Sequence, residues 1–204
     1  MQIEKFVEFL KEKYGFSLKK REPLKVLIGT ILSHRTKDEI TFPTTDKLFE
    51  KFKTAEDFVN ADITEIEEII KPVGFYRQKA KRIKEIAQKI LEEYGGEVPR
   101  DIDELLKLPG VGRKTANCVL AFGFGKPALP VDTHVHRIMN RTGIVNTKTP
   151  EETEKELKKI LKKEYWGWIN KVLVRFGKEI CLPRNPKCSE CGFKKFCKKI
   201  LDKQ

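Results

Sequence analysis

The chain has 204 residues, 35% charged and 39% hydrophobic, enough for one ordinary domain or two small ones. Mean hydropathy is −0.48, and no stretch approaches the ~20 apolar residues of a membrane span. Lys and Arg number 42 against 30 Asp and Glu, a net charge of +12. Together these argue against a membrane protein, a secreted disulfide scaffold and a disordered tail, and favour a polyanionic partner.

Thirty-two of those cations are Lys, beside only four Gln and six Asn. Hyperthermophiles share that balance, so growth temperature accounts for part of the surplus.

Taken in order, the elements are helical nearly throughout. Ile3, Phe6, Val7, Leu10 and Tyr14 recur at steps of three and four, and Gly15 closes the run. Glu4, Lys5, Glu8 and Lys11 stand among the apolar residues of this amphipathic helix, leaving no uninterrupted apolar run of the kind a secretory signal needs. A second helix follows Pro23, and Thr45 precedes a short third one. Thr64 opens another, which Pro72 closes, and residues 76–94 form a long basic helix stopped by Gly95-Gly96. After Pro99 come a short helix, a glycine hairpin and a helix near 113–122. Asp132 begins the next helix as its N-cap. Thr149-Pro150-Glu151-Glu152 reads as a capping box, with Pro at the first helical position. The last long helix is WGWINKVLVRFGKEI. No alternating apolar run occurs, so the fold class is all-α.

The stretch LPGVGRKTANCVLAFGF, residues 108–124, carries the first chemistry. It is no P-loop, because the spacing fails and a helix precedes it. Gly110, Val111 and Gly112 form a tight turn between helices. The two glycines let backbone N–H groups approach a phosphate at the next helix N-terminus, beside Arg113. A turn between packed helices is the plainer alternative. Lys114 stands in the first turn of that helix, where a cation opposes the dipole. Such a site favours a neutral, nucleophilic amine. Cys118, amid Ala116, Val119 and Leu120, reads as a core thiol.

Four of the five cysteines crowd the C-terminus as C-x6-C-x2-C-x5-C: Cys181, Cys188, Cys191 and Cys197. Disulfides within so short a segment would close tiny loops and stabilise little. A metal centre would instead anchor a tail too poor in apolar residues to form a core of its own. Coordination chemistry alone leaves a zinc ion and an iron–sulfur cluster equally open.

LPGVGRKTA, the VDTH segment at 131–134 and this cysteine spacing together resemble the helix-hairpin-helix DNA glycosylases, specifically the endonuclease III family. LSHRTKDEIT, VGFYRQKAKRI and NRTGIV extend the likeness from about Leu24 to Cys197. The resemblance implies two helical domains flanking a DNA-binding cleft, 17–126 with the hairpin and 1–16 plus 127–204 with the cysteines. It implies a [4Fe–4S] cluster on the four cysteines, with Lys187 and its basic neighbours facing phosphate. The expected protein is a cytoplasmic monomer acting on double-stranded DNA that contains damaged bases or abasic sites.

Lys114 falls on the Schiff-base position and Asp132 on the assisting carboxylate, facing each other across the cleft. A damaged base would be flipped from the duplex. Phe75 falls on the apolar wedge that fills the hole, with an ordinary core aromatic as the alternative. Arg35 stands where the family usually has a glutamine against the orphaned base. Its guanidinium can donate to a guanine edge, or simply hold a phosphate. Ser33 and His134 are assigned to the substrate pocket. Two rival readings are a mismatch-specific thymine or uracil glycosylase, and a non-catalytic DNA-binding module with a zinc tail.

Overall fold

The computed structural model describes residues 2–199. Among them are eleven α-helices and no strand. The chain divides into two compact units, one spanning Lys20–Lys126 and the other made of the segments before and after it. No helix among the described residues is long and apolar enough to cross a membrane.

In the Lys20–Lys126 unit, α2 (Pro23–Ser33) is the central element, with Leu24, Val26, Leu27, Ile28, Ile31 and Leu32 all buried. A helix so apolar must be surrounded. Pro23 takes its first position, and the Glu22 carboxylate caps it by accepting from the Leu24 and Lys25 amides.

The next helix, α3, runs over Asp38–Lys51, earlier than the start expected after Thr45, and it holds Pro43 inside. Pro43 deprives only the Glu39 carbonyl of its donor, and both residues lie on the exposed face where water substitutes. The opposite face buries Thr41, Thr44, Thr45, Leu48 and Phe49, which outweighs the break.

Helix α4 (Ala55–Asn60) has no counterpart in the sequence reading. It starts with a reciprocal cap, in which Thr54 accepts from the Asp57 amide and Asp57 accepts from the Thr54 amide. Asp62, not Thr64, caps α5 (Ile63–Ile70). Helix α6 (Tyr76–Tyr94) ends at Gly95 with φ +60, and α7 (Ile102–Lys107) leads into the hairpin. The helix expected over 113–122 divides into α8 (Arg113–Cys118) and a π-turn at Val119–Gly123. Gly123 lies against the Pro23 backbone, where an added Cβ would stand 3.0 Å from Pro23 Cα.

The other unit packs α1 (Gln2–Tyr14), α9 (Thr133–Thr142), α10 (Pro150–Ile160) and α11 (Trp166–Glu179) around Phe6, Leu10, Ile138, Leu157, Trp168, Leu173 and Phe176. Thr149 caps α10 by accepting from the Glu152 amide at 3.2 Å. The return bond of the expected box lands one residue early, with Glu152 accepting from the Lys148 amide at 2.7 Å. One aromatic docks the cysteine tail: Phe193 is 2% exposed, with its ring centroid 4.6 Å from that of Phe6.

Candidate functional site

The hairpin is closed by the Val111 amide donating to the Leu108 carbonyl at 3.1 Å. Its two glycines differ in what the fold requires of them. Gly110 has φ +71, and an added Cβ would stand 3.0 Å from the Arg82 side chain. The turn therefore needs a glycine there. Gly112 has φ −93, open to any residue, and nothing lies within 4 Å of the place its Cβ would occupy. Packing inside the unit thus gives no reason for glycine at 112.

Gly112 is the N-cap of α8, and Arg113 and Lys114 open its first turn. Arg113 is exposed, Lys114 half-buried and Val111 buried. Desolvation lowers the His34 imidazole below its ordinary value, and the charges of Lys114 and Lys79 push the same way. The α2–α3 turn and the start of α8 therefore feel one another electrostatically.

That turn and the start of α6 bound a cavity of about 300 Å³, lined by Ile31, His34, Arg35, Phe75, Gln78, Lys79, Arg82 and Gly110. Phe75 is no core aromatic. It is 55% exposed and holds a left-handed backbone at φ +60, with Arg35 at φ +54, conformations that bulky side chains seldom adopt. The Arg35 guanidinium lies 5.6 Å from the centre of the Phe75 ring, within cation–π range. Ser33 does not line this cavity; its hydroxyl donates to the Thr30 carbonyl at 2.7 Å within its own helix.

Helix α6 is basic along its length, but two of its lysines are not free surface charge. The Lys84 ammonium donates to the carbonyls of Val59 and Ala61 at the end of α4. Lys79 is 7% exposed, and burial pushes its ammonium down to about 8. A basic stripe gives no hint of which cations turn inward.

In the other unit Asp132 is half-buried at the start of α9. Its carboxylate accepts from the His134 and Val135 amides, both at 2.9 Å. His134 Nδ1 lies 3.2 Å from Arg137 Nη2, and His136 Nδ1 lies 2.6 Å from the Thr153 hydroxyl. Both imidazoles thus have partners within the fold.

The four tail cysteines are half-buried and line one small cavity of about 30 Å³ together with Phe6, Arg141, Phe176, Lys187, Phe193 and Lys194. Burial raises the Cys191 and Cys197 thiols. The Phe193 and Lys199 amides oppose that rise, and the neighbouring sulfurs add to it.

Arg141, 6% exposed, donates to the Leu182 carbonyl at 2.7 Å, the Pro183 carbonyl at 3.1 Å and Cys181 Sγ at 3.5 Å. Its buried Nε has no hydrogen-bond partner among the described residues. No three His, Cys, Asp or Glu side chains among the described residues are gathered around a single-ion position. Four thiols lining one cavity, with a spare buried donor on Arg141, are a soft donor set that suits a [4Fe–4S] cluster as it suits zinc. Lys187 is exposed at the rim.

Residues 28–163 match the family model described as HhH-GPD superfamily base excision DNA repair protein. The chain is 52% identical to endonuclease III of Thermotoga maritima over 195 residues, covering 96% of this chain and 92% of that one. It belongs to the endonuclease III family. Among solved structures it resembles a trapped endonuclease III–DNA covalent intermediate, an estranged-adenine complex. The TM-score is 0.89 at 38% identity, covering 97% of this chain and 95% of that one. A thermostable thymine-DNA glycosylase gives a TM-score of 0.86 at 31% identity, over 97% and 96% of the two chains. For an endonuclease III family member, the side chains that sequence reasoning left out are Lys79, Gln78 and Arg82 around the 300 Å³ cavity, and Arg141 beside the cysteines.

Proposed function

We propose that this endonuclease III family chain is a bifunctional DNA glycosylase/AP lyase in which Lys114 is the nucleophile and Asp132 the assisting carboxylate. Membership of the family at 52% identity over nearly the whole chain carries the reading. The position of Lys114, in the first turn after the Gly110–Gly112 hairpin, supports the residue assignment.

The chemistry follows from the groups. The Lys114 amine attacks C1′ of the damaged nucleoside as the N-glycosidic bond breaks, and the base departs with the bonding electrons and is protonated. Asp132 offsets the oxocarbenium-like charge at C1′ or takes up the lysine proton. The sugar ring opens to the imine. Loss of a C2′ proton then expels the 3′ phosphate, and water hydrolyses the imine to free Lys114.

Double-stranded DNA with damaged bases or abasic sites is the partner, met by a monomer in the cytoplasm. Gly110, Val111, Gly112 and Arg113 take a backbone phosphate. Phe75 fills the space a flipped base leaves, and Arg35 contacts the orphaned partner. Oxidised pyrimidines are the proposed lesions. Arg35 in place of the family's usual glutamine keeps a thymine or uracil mispair opposite guanine as the second reading. Cys181, Cys188, Cys191 and Cys197 would hold a [4Fe–4S] cluster, which when bound would tie down the tail and present Lys187 to phosphate. Ser33 and His134, both engaged within their own units, have the least support as pocket residues.

Borohydride trapping on abasic duplex tests the reading. Wild type should give a covalent adduct and Lys114→Ala none, while salt-dependent DNA binding persists. A wild type that traps nothing overturns the lyase assignment. Iron and acid-labile sulfide in the purified protein test the cluster, and a colourless zinc-loaded protein overturns it.

A further inference from the structure

One buried ammonium in the Lys20–Lys126 unit is unused by the reaction above. Lys79 Nζ donates to the Leu32 carbonyl at 2.8 Å, the His34 carbonyl at 2.5 Å and the Thr36 hydroxyl at 3.2 Å. An ammonium has three protons, so all are engaged. Leu32 lies in the last turn of α2 and His34 caps that helix, so the cation sits where the helix's orphan carbonyls and dipole are most negative.

The same three bonds bracket Arg35. Its φ of +54 is held from both sides, by the His34 carbonyl before it and the Thr36 hydroxyl after it. The Thr36 amide closes the turn on the Ser33 carbonyl at 3.1 Å. Across from the turn lies Gly74, where an added Cβ would stand 3.4 Å from the Arg35 carbonyl. Lys79 belongs to the first turn of the helix that follows Phe75, and its amide donates to the Phe75 carbonyl at 3.1 Å.

One residue is therefore bonded to both segments that carry left-handed, exposed side chains, Arg35 through its ammonium and Phe75 through its backbone. Non-glycine residues persist in that conformation where the surroundings over-determine it. The Arg35–Phe75 cation–π contact, at 5.6 Å, joins the same two segments.

We propose that Lys79 is the positioning residue for opposite-strand reading. By fixing Arg35 and Phe75 as one preorganised pair, it aims the guanidinium at the edge of the orphaned base and favours guanine there. The proposal rests on the reading of Arg35 as the contact to that base. Preorganisation matters because a flexible arginine can donate to any base edge, whereas a fixed one discriminates by direction.

The experiment compares kcat/KM on duplexes with one abasic site opposite guanine or adenine, using wild type, Arg35→Ala, Lys79→Met and the double variant. Circular dichroism and melting curves run in parallel, and assays are held well below every melting temperature. Wild type should prefer guanine by about tenfold, the worth of one directed bidentate contact. Arg35→Ala should abolish that preference. Lys79→Met should abolish it too, mainly through KM, and the double variant should lose no more than either single one.

A merely structural lysine would lower the melting temperature and leave the base ratio alone. That result, a folded Lys79→Met with the wild-type ratio, overturns the proposal. If Lys79→Met does not fold, Thr36→Val removes one acceptor of the ammonium, and an unchanged ratio there overturns it equally. An unchanged ratio in Arg35→Ala sinks the underlying reading of Arg35, and the positioning role with it. Loss in Arg35→Ala without loss in Lys79→Met sinks the positioning role alone.

Discussion

Asp132→Asn separates the two roles assigned to one carboxylate. As an N-cap, Asp132 accepts from the His134 and Val135 amides at 2.9 Å each. It thereby satisfies two of the four donors that α9 leaves open. An asparagine oxygen can take the same two bonds, and Asn and Asp rank about equal as caps. Losing the negative charge at a helix N-terminus costs about 0.3–1 kcal/mol. The expected stability loss is therefore no more than about 1 kcal/mol, less than a tenfold change in the folding constant. A protein of ordinary stability stays folded through such a change.

The chemistry should lose far more. Removing a group aimed at charge that develops in the transition state costs about 100- to 1000-fold in rate. Asp132→Ala removes both cap bonds as well, and should cost about 1 kcal/mol more in stability without a comparable further loss in rate. Single-turnover base release and urea unfolding, run on wild type and both variants, give the two quantities side by side. Base release by Asp132→Asn within threefold of wild type would show that Asp132 is a helix cap and nothing else.

Three further outcomes follow from the geometry. Phe75→Gly removes an exposed ring from a left-handed position, so stability should move by less than about 1 kcal/mol. Affinity for abasic duplex should fall about tenfold, the worth of one aromatic–base contact; equal affinity would exclude the wedge role. Arg141→Met leaves the Leu182 and Pro183 carbonyls without their charged donor, a loss of about 3 kcal/mol by urea unfolding, and should lower the iron recovered per chain. A loss below about 1 kcal/mol would mean that the tail docks without it. For His34 the folded-state pKa lies below its ordinary 6.5. The unfolded chain then binds more protons in that window, and stability falls as pH drops below about 6.5. His34→Gln should flatten that acid limb in melting temperatures measured from pH 5 to 7, and an unchanged slope would refute the assignment.

Much of the helical order was readable because its punctuation is local. Gly15, Gly95 and Asp132 act through their own backbones and neighbours, so single residues announce them. The departures share a cause. Helix α3 starts at Asp38, before the start expected after Thr45, because the sequence does not show that Pro43 lies on a face that meets solvent. The six residues of α4 are too few for periodicity, although Thr54 and Asp57 at cap spacing did mark its start. Lys79 was hidden more deeply. A lysine amid basic neighbours reads as surface, and the residues around Phe75 leave a core aromatic open beside the wedge that the resemblance implies. Tertiary packing inverts the first reading and excludes the core for the second, leaving the lysine 7% and the phenylalanine 55% exposed.

That inversion separates residues the unit needs for itself from those it carries for something else. Gly110 is required by φ +71 and by the Arg82 side chain beside it. Gly112 is required by neither backbone nor packing. Phe75 and Arg35 go further, because each opposes the fold with a left-handed backbone, and Phe75 also exposes apolar surface. Local choices that conflict with the global fold gather where function compensates for them. All three lie on the α2–α3 turn, the start of α6 and the hairpin, and Arg35 and Phe75 share one cavity with Gly110. Under the proposed function a DNA duplex would answer all three together: its phosphate would fill the open space at Gly112, its stack would cover the Phe75 ring, and its orphaned base would engage the Arg35 guanidinium. A partner lacking any one of those chemistries would leave a conflict standing.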